Sequence, residues 1–307
     1  MNDGTGGKNY PLLRAFEEIE KLTVSEDELA AFTNEDDFIG LGVSLLIEAG
    51  SYVCIAANTL GEHEKWDRDT AAIGGNLVRL YKMISAFLDQ TVQRRRETSF
   101  IFARLVFETV VTIRYLIKYF SQELVASYVK NSFKHEIKLR TKIDQNIATR
   151  GGLILPIEDR MMKSIDRAFS SAGLSPEDFA GPTERNWGGK NLYEKASDLG
   201  MEDAYLAAFS GPSQSIHGAW GDIYSHCLQT EGDGLFSPKI EWGYPRPQLI
   251  SALATLSIFA IDDYFGFVGS PELQEAVQEH LNDLAVRLRA LDQAHENYLA
   301  PKEWPNV

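Results

Sequence analysis

The sequence predicts an all-α protein, a bundle of about ten helices with a buried helix at 98–120 at its centre. Apolar residues recur at intervals of three and four along most of the 307 residues, which is the helical period. Alternation of apolar and polar residues, the mark of a half-buried strand, is confined to a short extended segment near 239–242. Glycines and capping residues, such as Gly61 and Gly151-Gly152, divide the pattern into separate helices.

The same pattern predicts one all-α domain over 1–307, in which 1–69 form an N-terminal helical part and 70–268 the core bundle. A last helix is expected at 270–300, where apolar residues from Leu273 to Tyr298 follow alternating steps of four and three. Such a seam packs either on the body of the protein or on a second copy. Self-association through 270–300 is therefore one expectation.

The central segment carries charged residues inside an apolar helix. At about 100° per residue, Arg104, Glu108, Arg114 and Lys118 share one arc, and large residues such as Phe107 fall in the same arc. A solvated stripe is one interpretation, and a buried helix whose Arg and Glu pair or line a polar pocket is the preferred one. A membrane span is not expected here, because each central charge costs about 2.5–3.5 kcal/mol and each apolar residue recovers only about 0.3–0.6.

Composition and charge limit which functions and which location we expect for the protein. The N-terminus has no basic region followed by an apolar core, and no other segment is predicted to span a membrane, so a cytoplasmic protein is expected.

The net charge of −14 opposes general binding to nucleic acids or membrane surfaces. However, residues 79–150 hold fourteen Lys and Arg against six Asp and Glu, a local +8. This basic region predicts either a site for a small anion or RNA, or a surface that docks on acidic parts of this chain or a second copy.

Four lysines give the basic region a regular pattern. Lys130, Lys134, Lys138 and Lys142 follow one another at four-residue steps in a helix expected to reach from Ser121 to about Ala148. They are either a solvated face or an anion-binding ridge. The segment 181–191, which is rich in Gly and polar residues, is expected to be a loop that serves as a lid or a linker.

A second chemically suggestive stretch covers residues 210–226. If Pro212 opens one continuous helix there, His217 points inward and His226 lies outside beside Asp222. The candidate site follows: His217 would meet Glu108 and Arg104 of the central helix in a buried polar cluster. An ordinary buried histidine with satisfied hydrogen bonds is the alternative.

These residues also carry a resemblance. Arg104-x-x-x-Glu108, Tyr115-Leu116 and the later Tyr205, Ser213 and His217 resemble a broad bacterial family of all-helical proteins catalogued as a domain of unknown function, over residues 70–265. The resemblance implies the helical fold and carries no established activity.

Most catalytic motifs are absent. The three His-Glu dipeptides lack the second histidine of a zinc motif, and no phosphate loop or dinucleotide fingerprint is complete, so no metal or cofactor is expected. Arg289 and His295 have the spacing of the Arg and His used by helical ribonucleases of the HEPN type, but in a continuous helix they diverge by about 240°. Two functions result: a helical protein that binds a ligand or partner at an Arg/Glu/His cluster, or a metal-independent HEPN-like ribonuclease in a defence or toxin setting.

Overall fold

The computed structural model describes residues 11–60, 65–179 and 184–303, and it confirms the all-α bundle. The helices of the first half are α1 Pro11–Glu17, α2 Glu26–Ala30, α3 Glu35–Ala57, α4 Arg68–Val92, α5 Arg96–Lys118, α6 Gln122–Ser132, α7 Lys134–Thr149 and α8 Pro156–Ser171. Those of the second half are α9 Leu192–Asp198, α10 Glu202–Tyr205, α11 Gly211–His217, α12 Trp220–His226, α13 Pro247–Val268 and α14 Pro271–Leu299. Short 3₁₀ turns lie at Pro176–Phe179 and Trp187–Gly189.

The predicted central helix is α5. It packs on α4, α13 and α11, and its residues from Thr109 to Ile113 are buried without interruption. A helix apolar on every side belongs in the interior of a bundle. Two of its charged residues reach partners on other elements: Arg114 Nε donates to Asp263 Oδ2 at 2.6 Å, and Lys118 Nζ donates to the Asp198 carbonyl at 2.6 Å.

Two helices beside α5 are long and apolar enough to cross a membrane. Glu35–Ala57 and Pro247–Val268 meet that test by length and composition, with 50% and 61% of the tested window buried in the protein. Composition and length alone do not decide the expectation that no segment spans a membrane, because core helices pass the same test. The two helices pack on each other, and α13 also packs on α5, so both have the surroundings of core helices.

The apolar seam of α14 is covered by this chain itself. Its leucines and His295 are buried against α3, α13 and α1. A buried ion pair fastens the helix, since Arg287 donates from Nη1 and Nη2 to the two oxygens of Glu48, at 2.6 Å each. The Tyr52 hydroxyl also donates to Glu48 Oε1 at 2.8 Å. Any contact of 270–300 with a second copy therefore uses another face of α14.

The helix expected from Ser121 to Ala148 is divided. Phe133 leaves helical geometry (φ −90°, ψ 6°), which separates α6 from α7. Beyond it, α7 and α8 form a hairpin of helices with a small core of their own around Ile143, Ile165 and Phe169. We call residues 134–171 the arm. The arm gathers much of the predicted basic region.

Residues 202–217 form a helical run that widens into a π-turn at Leu206–Ser210. Pro212 accounts for the widening, because proline lacks an N–H and its ring crowds the carbonyl four residues earlier. The run stops at His217, where Gly218 adopts a φ of +57°. After α12, a hairpin of β1 Leu228–Gly232 and β2 Leu235–Pro238 follows, which the sequence analysis did not predict; the short extended segment expected near 239–242 lies just after β2.

Candidate anion-binding cavity

A cavity of about 430 Å³ opens between the start of α5, the π-turn, α11, α12 and the start of α13. Its lining is mostly apolar, and the polar groups that reach it are few. The lining residues are Phe100, Ala207, Ala208, Gly211, Pro212, Ser215, Gly221, Asp222, Ser225, His226, Arg246, Gln248, Leu249 and Ala252. An apolar hollow of this size with a few convergent polar groups is typical of small-molecule sites.

His226 is a titratable group in this wall, together with Asp222. Its side chain is 12% exposed, and Arg96 Nη2 lies 2.8 Å from its Nδ1. Arginine can only donate, so Nδ1 accepts and the imidazole is neutral with its proton on Nε2. Burial lowers the pKa of His226, and the positive charge of Arg96 lowers it further.

Arg96 is held in place by the loop before α13. Its guanidinium lies against Gly243, where a Cβ atom would come within 2.6 Å of Cζ, Nε and Nη2. The carboxylate of Glu97 accepts from the Gly243 N–H at 2.9 Å, which fixes the loop, and lies 4.0 Å from Arg96 Nη2. Arg96 Nε is buried and has no hydrogen-bond partner in the part of the chain that the structure describes.

A second guanidinium adds to the positive charge. Arg246 and Gln248 line the main cavity and also a smaller one of about 90 Å³, whose wall includes Arg96. Burial lowers the pKa of Arg96, and the charge of Arg246 lowers it further, whereas Glu97 and Asp222 oppose the shift. Arg246 is exposed, and among the described residues its side chain has no hydrogen bond or ion pair, so its guanidinium is accessible to a ligand. The two arginines therefore favour an anion between the cavities.

The remaining polar groups are not arranged as a catalytic triad. Ser215 Oγ donates to Asp222 Oδ1 at 2.6 Å, and the same oxygen lies 3.9 Å from His226 Nε2. In a triad the histidine takes the serine proton and the carboxylate orients the histidine. Here the serine contacts the carboxylate instead, so the cluster has the character of a binding wall.

The prediction that His217 points inward is wrong, because His217 is exposed at the end of α11. α11 does pack on α5, as expected, but Arg104 and Glu108 form no hydrogen bond or ion pair with His217 or each other among the described side chains. Arg104 Cζ lies 4.4 Å from the centre of the Phe209 ring, and its Nε has no partner. The expected buried cluster is not formed.

The four lysines do not act as one ridge. Lys134 Nζ donates to the carbonyls of Glu184 and Arg185, and Lys130 Nζ lies 5.7 Å from the Phe179 ring. Lys138 and Lys142, beyond the Phe133 break, are exposed. Anion binding by all four remains a prediction without a common surface.

The predicted loop at 181–191 lies partly outside the described residues, which resume at 184. In its described part, Trp187 packs its ring on Tyr115 and Tyr128, with centroids 5.5 and 5.3 Å apart. This part of the loop is thus fixed to the bundle.

His295 cannot form a ribonuclease pair with Arg289. α14 is continuous, His295 is 2% exposed in the seam and Arg289 is exposed. The His295 ring lies 4.8 Å from Phe38, and its Nε2 lies 3.0 Å from Glu35 Oε2. The divergence predicted from helix geometry is confirmed. In the described residues, no cluster of three His, Cys, Asp or Glu is placed to hold a metal ion.

Sequence reasoning missed Arg96, His226 and Arg246. It projected one helix across 210–226, and that continuity exchanged the inner and outer histidines. Gly218 was the available signal, because a glycine after the last helical residue commonly ends a helix in left-handed geometry. Arg96 is one of three consecutive arginines at 94–96, which the sequence alone does not distinguish from one another.

The fold and cavity define an all-α helical-bundle protein with an open, mostly apolar cavity that Arg246 lines, beside a smaller cavity that Arg96 and Arg246 share. The chain belongs to the family of unknown function DUF5677, whose model matches residues 70–235. The match confirms the resemblance over most of its expected extent and includes Arg96, Ser215, Asp222 and His226. No curated protein and no solved structure matches the chain.

Proposed function

We propose that this protein binds a small organic anion, with the anionic group at Arg96 and Arg246 and an apolar body in the main cavity. The observation that supports the proposal is the Arg96 side chain, which is 15% exposed. Its Nε is buried and lacks a partner among the described residues, and its nearest carboxylate, Glu97, is occupied by the Gly243 backbone. Buried polar groups are normally paired, so such a donor beside a cavity favours an acceptor from a ligand. Phe100, Pro212 and Leu249 supply apolar contacts.

The test is calorimetric titration of the purified protein with a panel of carboxylates and phosphate monoesters that carry aliphatic or aromatic groups. Arg96→Gln and Arg246→Gln are expected to weaken binding at least about tenfold each, because a charge-assisted hydrogen bond contributes about 1.5–3 kcal/mol. Arg289→Gln, on the exposed face of α14, is the control. Absence of binding by every member of the panel, or equal binding by all variants, would contradict the proposal.

Gly243→Ala tests the same site without altering a charge. The added methyl group displaces the flexible guanidinium of Arg96 from the cavity wall, so we expect the affinity to fall while the fold is kept. Gly40→Ala is the matched control, because no atom lies within 4 Å of the Cβ position there.

A second candidate function is metal-independent cleavage of RNA, and the contact between Arg96 and His226 favours it. A neutral histidine can accept the proton of a ribose hydroxyl, and an arginine can stabilise charge on the phosphate. In the structure Arg96 donates a hydrogen bond to Nδ1 of His226. This activity therefore requires Arg96 to leave Nδ1 and turn towards the phosphate. RNA binding and cleavage across a salt series test it, with His226→Ala compared with His295→Ala; cleavage lost only in the first would establish it.

A further inference from the structure

The arm ends in an exposed apolar tip. Leu153, Ile154, Leu155 and Ile157 are 61, 56, 39 and 51% exposed. The loop that carries them is held by Arg150, which binds the carboxylate of Glu158 and donates from Nε to the Leu153 carbonyl at 3.3 Å. Four adjacent aliphatic side chains in a braced loop indicate a contact surface.

A groove of about 560 Å³ lies elsewhere on the molecule, between α2 and α14. Its floor is apolar and is formed by Leu29, Phe32, Phe38, Ala290, Ala294 and Tyr298. Its edge on α2 is acidic, because Glu26 lines it and the exposed Asp27 and Glu28 follow in the same first turn. The groove uses the face of α14 that the buried seam leaves accessible.

Charge distinguishes the arm from the rest of the chain. Residues 134–171 hold eight Lys and Arg against five Asp and Glu, a net +3, which leaves −17 for the other residues of a chain with net −14. Arg160 is exposed three residues after the last tip residue, and the neighbouring exposed Asp159 pairs with Lys163 at 2.8 Å, so among the described residues the charge of Arg160 is the one left free beside the tip. The tip thus pairs aliphatic groups with positive charge, and the groove pairs an apolar floor with negative charge.

We propose that the tip of one copy inserts into the groove between α2 and α14 of a second copy. The occupant is a second copy because the same chain carries both complementary surfaces. The contact is heterologous, because it joins two different surfaces. In a two-fold dimer each copy inserts its tip into the groove of the other, so the contact forms twice. If the arrangement does not close into a dimer or a ring, each copy binds the next and a linear chain of molecules forms. Self-association then depends on 270–300 and on the basic arm together.

The experiment is sedimentation velocity of the full chain over a concentration series at low and high salt. We expect association that weakens with salt and that falls at least tenfold in the double variant Leu153→Asp, Ile154→Asp. Ala294→Arg fills the groove, and Glu26→Lys with Asp27→Lys reverses its exposed edge without touching the core; both are expected to reduce association similarly. Leu235→Asp, at a residue 66% exposed on β2, is the matched control and associates normally.

Mixing the tip variant with the groove-edge variant tests directly whether the two surfaces bind each other. The tip variant keeps its groove and the groove-edge variant keeps its tip, so an equimolar mixture regains one intact contact and forms mixed pairs. A protein that stays monomeric at all concentrations, or a tip variant that associates like the native chain, would overturn the proposal. So would a monomer that sediments with phosphatidylserine vesicles through its tip, since the occupant would then be a lipid surface.

Discussion

Arg96 Nη2 donates a hydrogen bond to His226 Nδ1 across 2.8 Å at the wall of the main cavity. The contact requires a neutral imidazole, and burial together with the charge of Arg96 lowers the pKa of His226. The native state therefore prefers the unprotonated form more strongly than the unfolded chain does. The stability that results is present above the ordinary histidine pKa of about 6.5 and is lost as the pH falls through the lower native pKa.

The first prediction concerns this pH dependence. The melting temperature of the native protein should fall between about pH 7.5 and about pH 5. We expect this fall, measured by circular dichroism, to be smaller in His226→Gln. His280, whose pKa is also lowered by burial, preserves part of the slope. The exposed His135 is the control, and His135→Gln should retain the native profile. An unchanged slope in His226→Gln would show that the contact with Arg96 does not hold His226 neutral.

Two adjacent glycines of α4 give the second prediction. A Cβ atom at Gly74 would lie 2.4 Å from the Trp66 ring, whereas nothing lies within 4 Å of the corresponding position at Gly75. We expect Gly75→Ala to stabilise the protein by about 0.5–1 kcal/mol through helix propensity. Gly74→Ala should destabilise it by about 1–3 kcal/mol, because the indole must move. Urea unfolding measures both, and similar changes in the two variants would be inconsistent with the Trp66 contact.

The helical fold was predictable because it rests on local signals. The apolar period, the capping Ser270 and the buried residues of α5 depend on neighbours in sequence, and the structure has them as expected. The candidate site depended on the relative rotation of separate helices. One unrecognised break at Gly218 changed which of His217 and His226 faces inward.

The partners of charged residues were less predictable still. Arg96 meets His226 across 130 positions, and Arg287 meets Glu48 across 239, so no helical projection relates them. Residues close in one helix, such as Arg104 and Glu108, proved not to pair. Charge spacing within a helix therefore indicated which residues share a face but not what each one binds.

The third prediction concerns the ion pair that fastens α14 to α3. Glu48 is 3% exposed and receives both terminal nitrogens of Arg287, so Arg287→Met leaves a buried carboxylate without its partner. We expect a loss of about 3–5 kcal/mol in the free energy of unfolding, measured with urea. Arg14→Met is the control: Arg14 also pairs with a glutamate, but on the surface, and should change stability by less than about 1 kcal/mol. A loss for Arg287→Met as small as that of the control would refute the prediction.

The last prediction concerns Lys195, which is 2% exposed beneath Trp187. Its Nζ lies 3.9 Å from the centre of the indole ring and donates to the Lys190 carbonyl. Burial lowers the pKa of Lys195 to about 8, although the aromatic ring favours the charged form and opposes this effect.

The pKa of Lys195 is lower in the native state than in the unfolded chain. Below about pH 8 the native state therefore holds a buried charged ammonium group, which costs stability. That cost disappears as the pH rises towards the unfolded pKa of 10.5. We expect the native protein to gain stability relative to Lys195→Met between these limits, on the order of 2–3 kcal/mol. Urea unfolding of both proteins across this range measures the difference, and Lys138→Met, at an exposed lysine of α7, should show none. A constant difference between native protein and Lys195→Met would mean that the ring and the carbonyl fully offset the cost of burying the ammonium group.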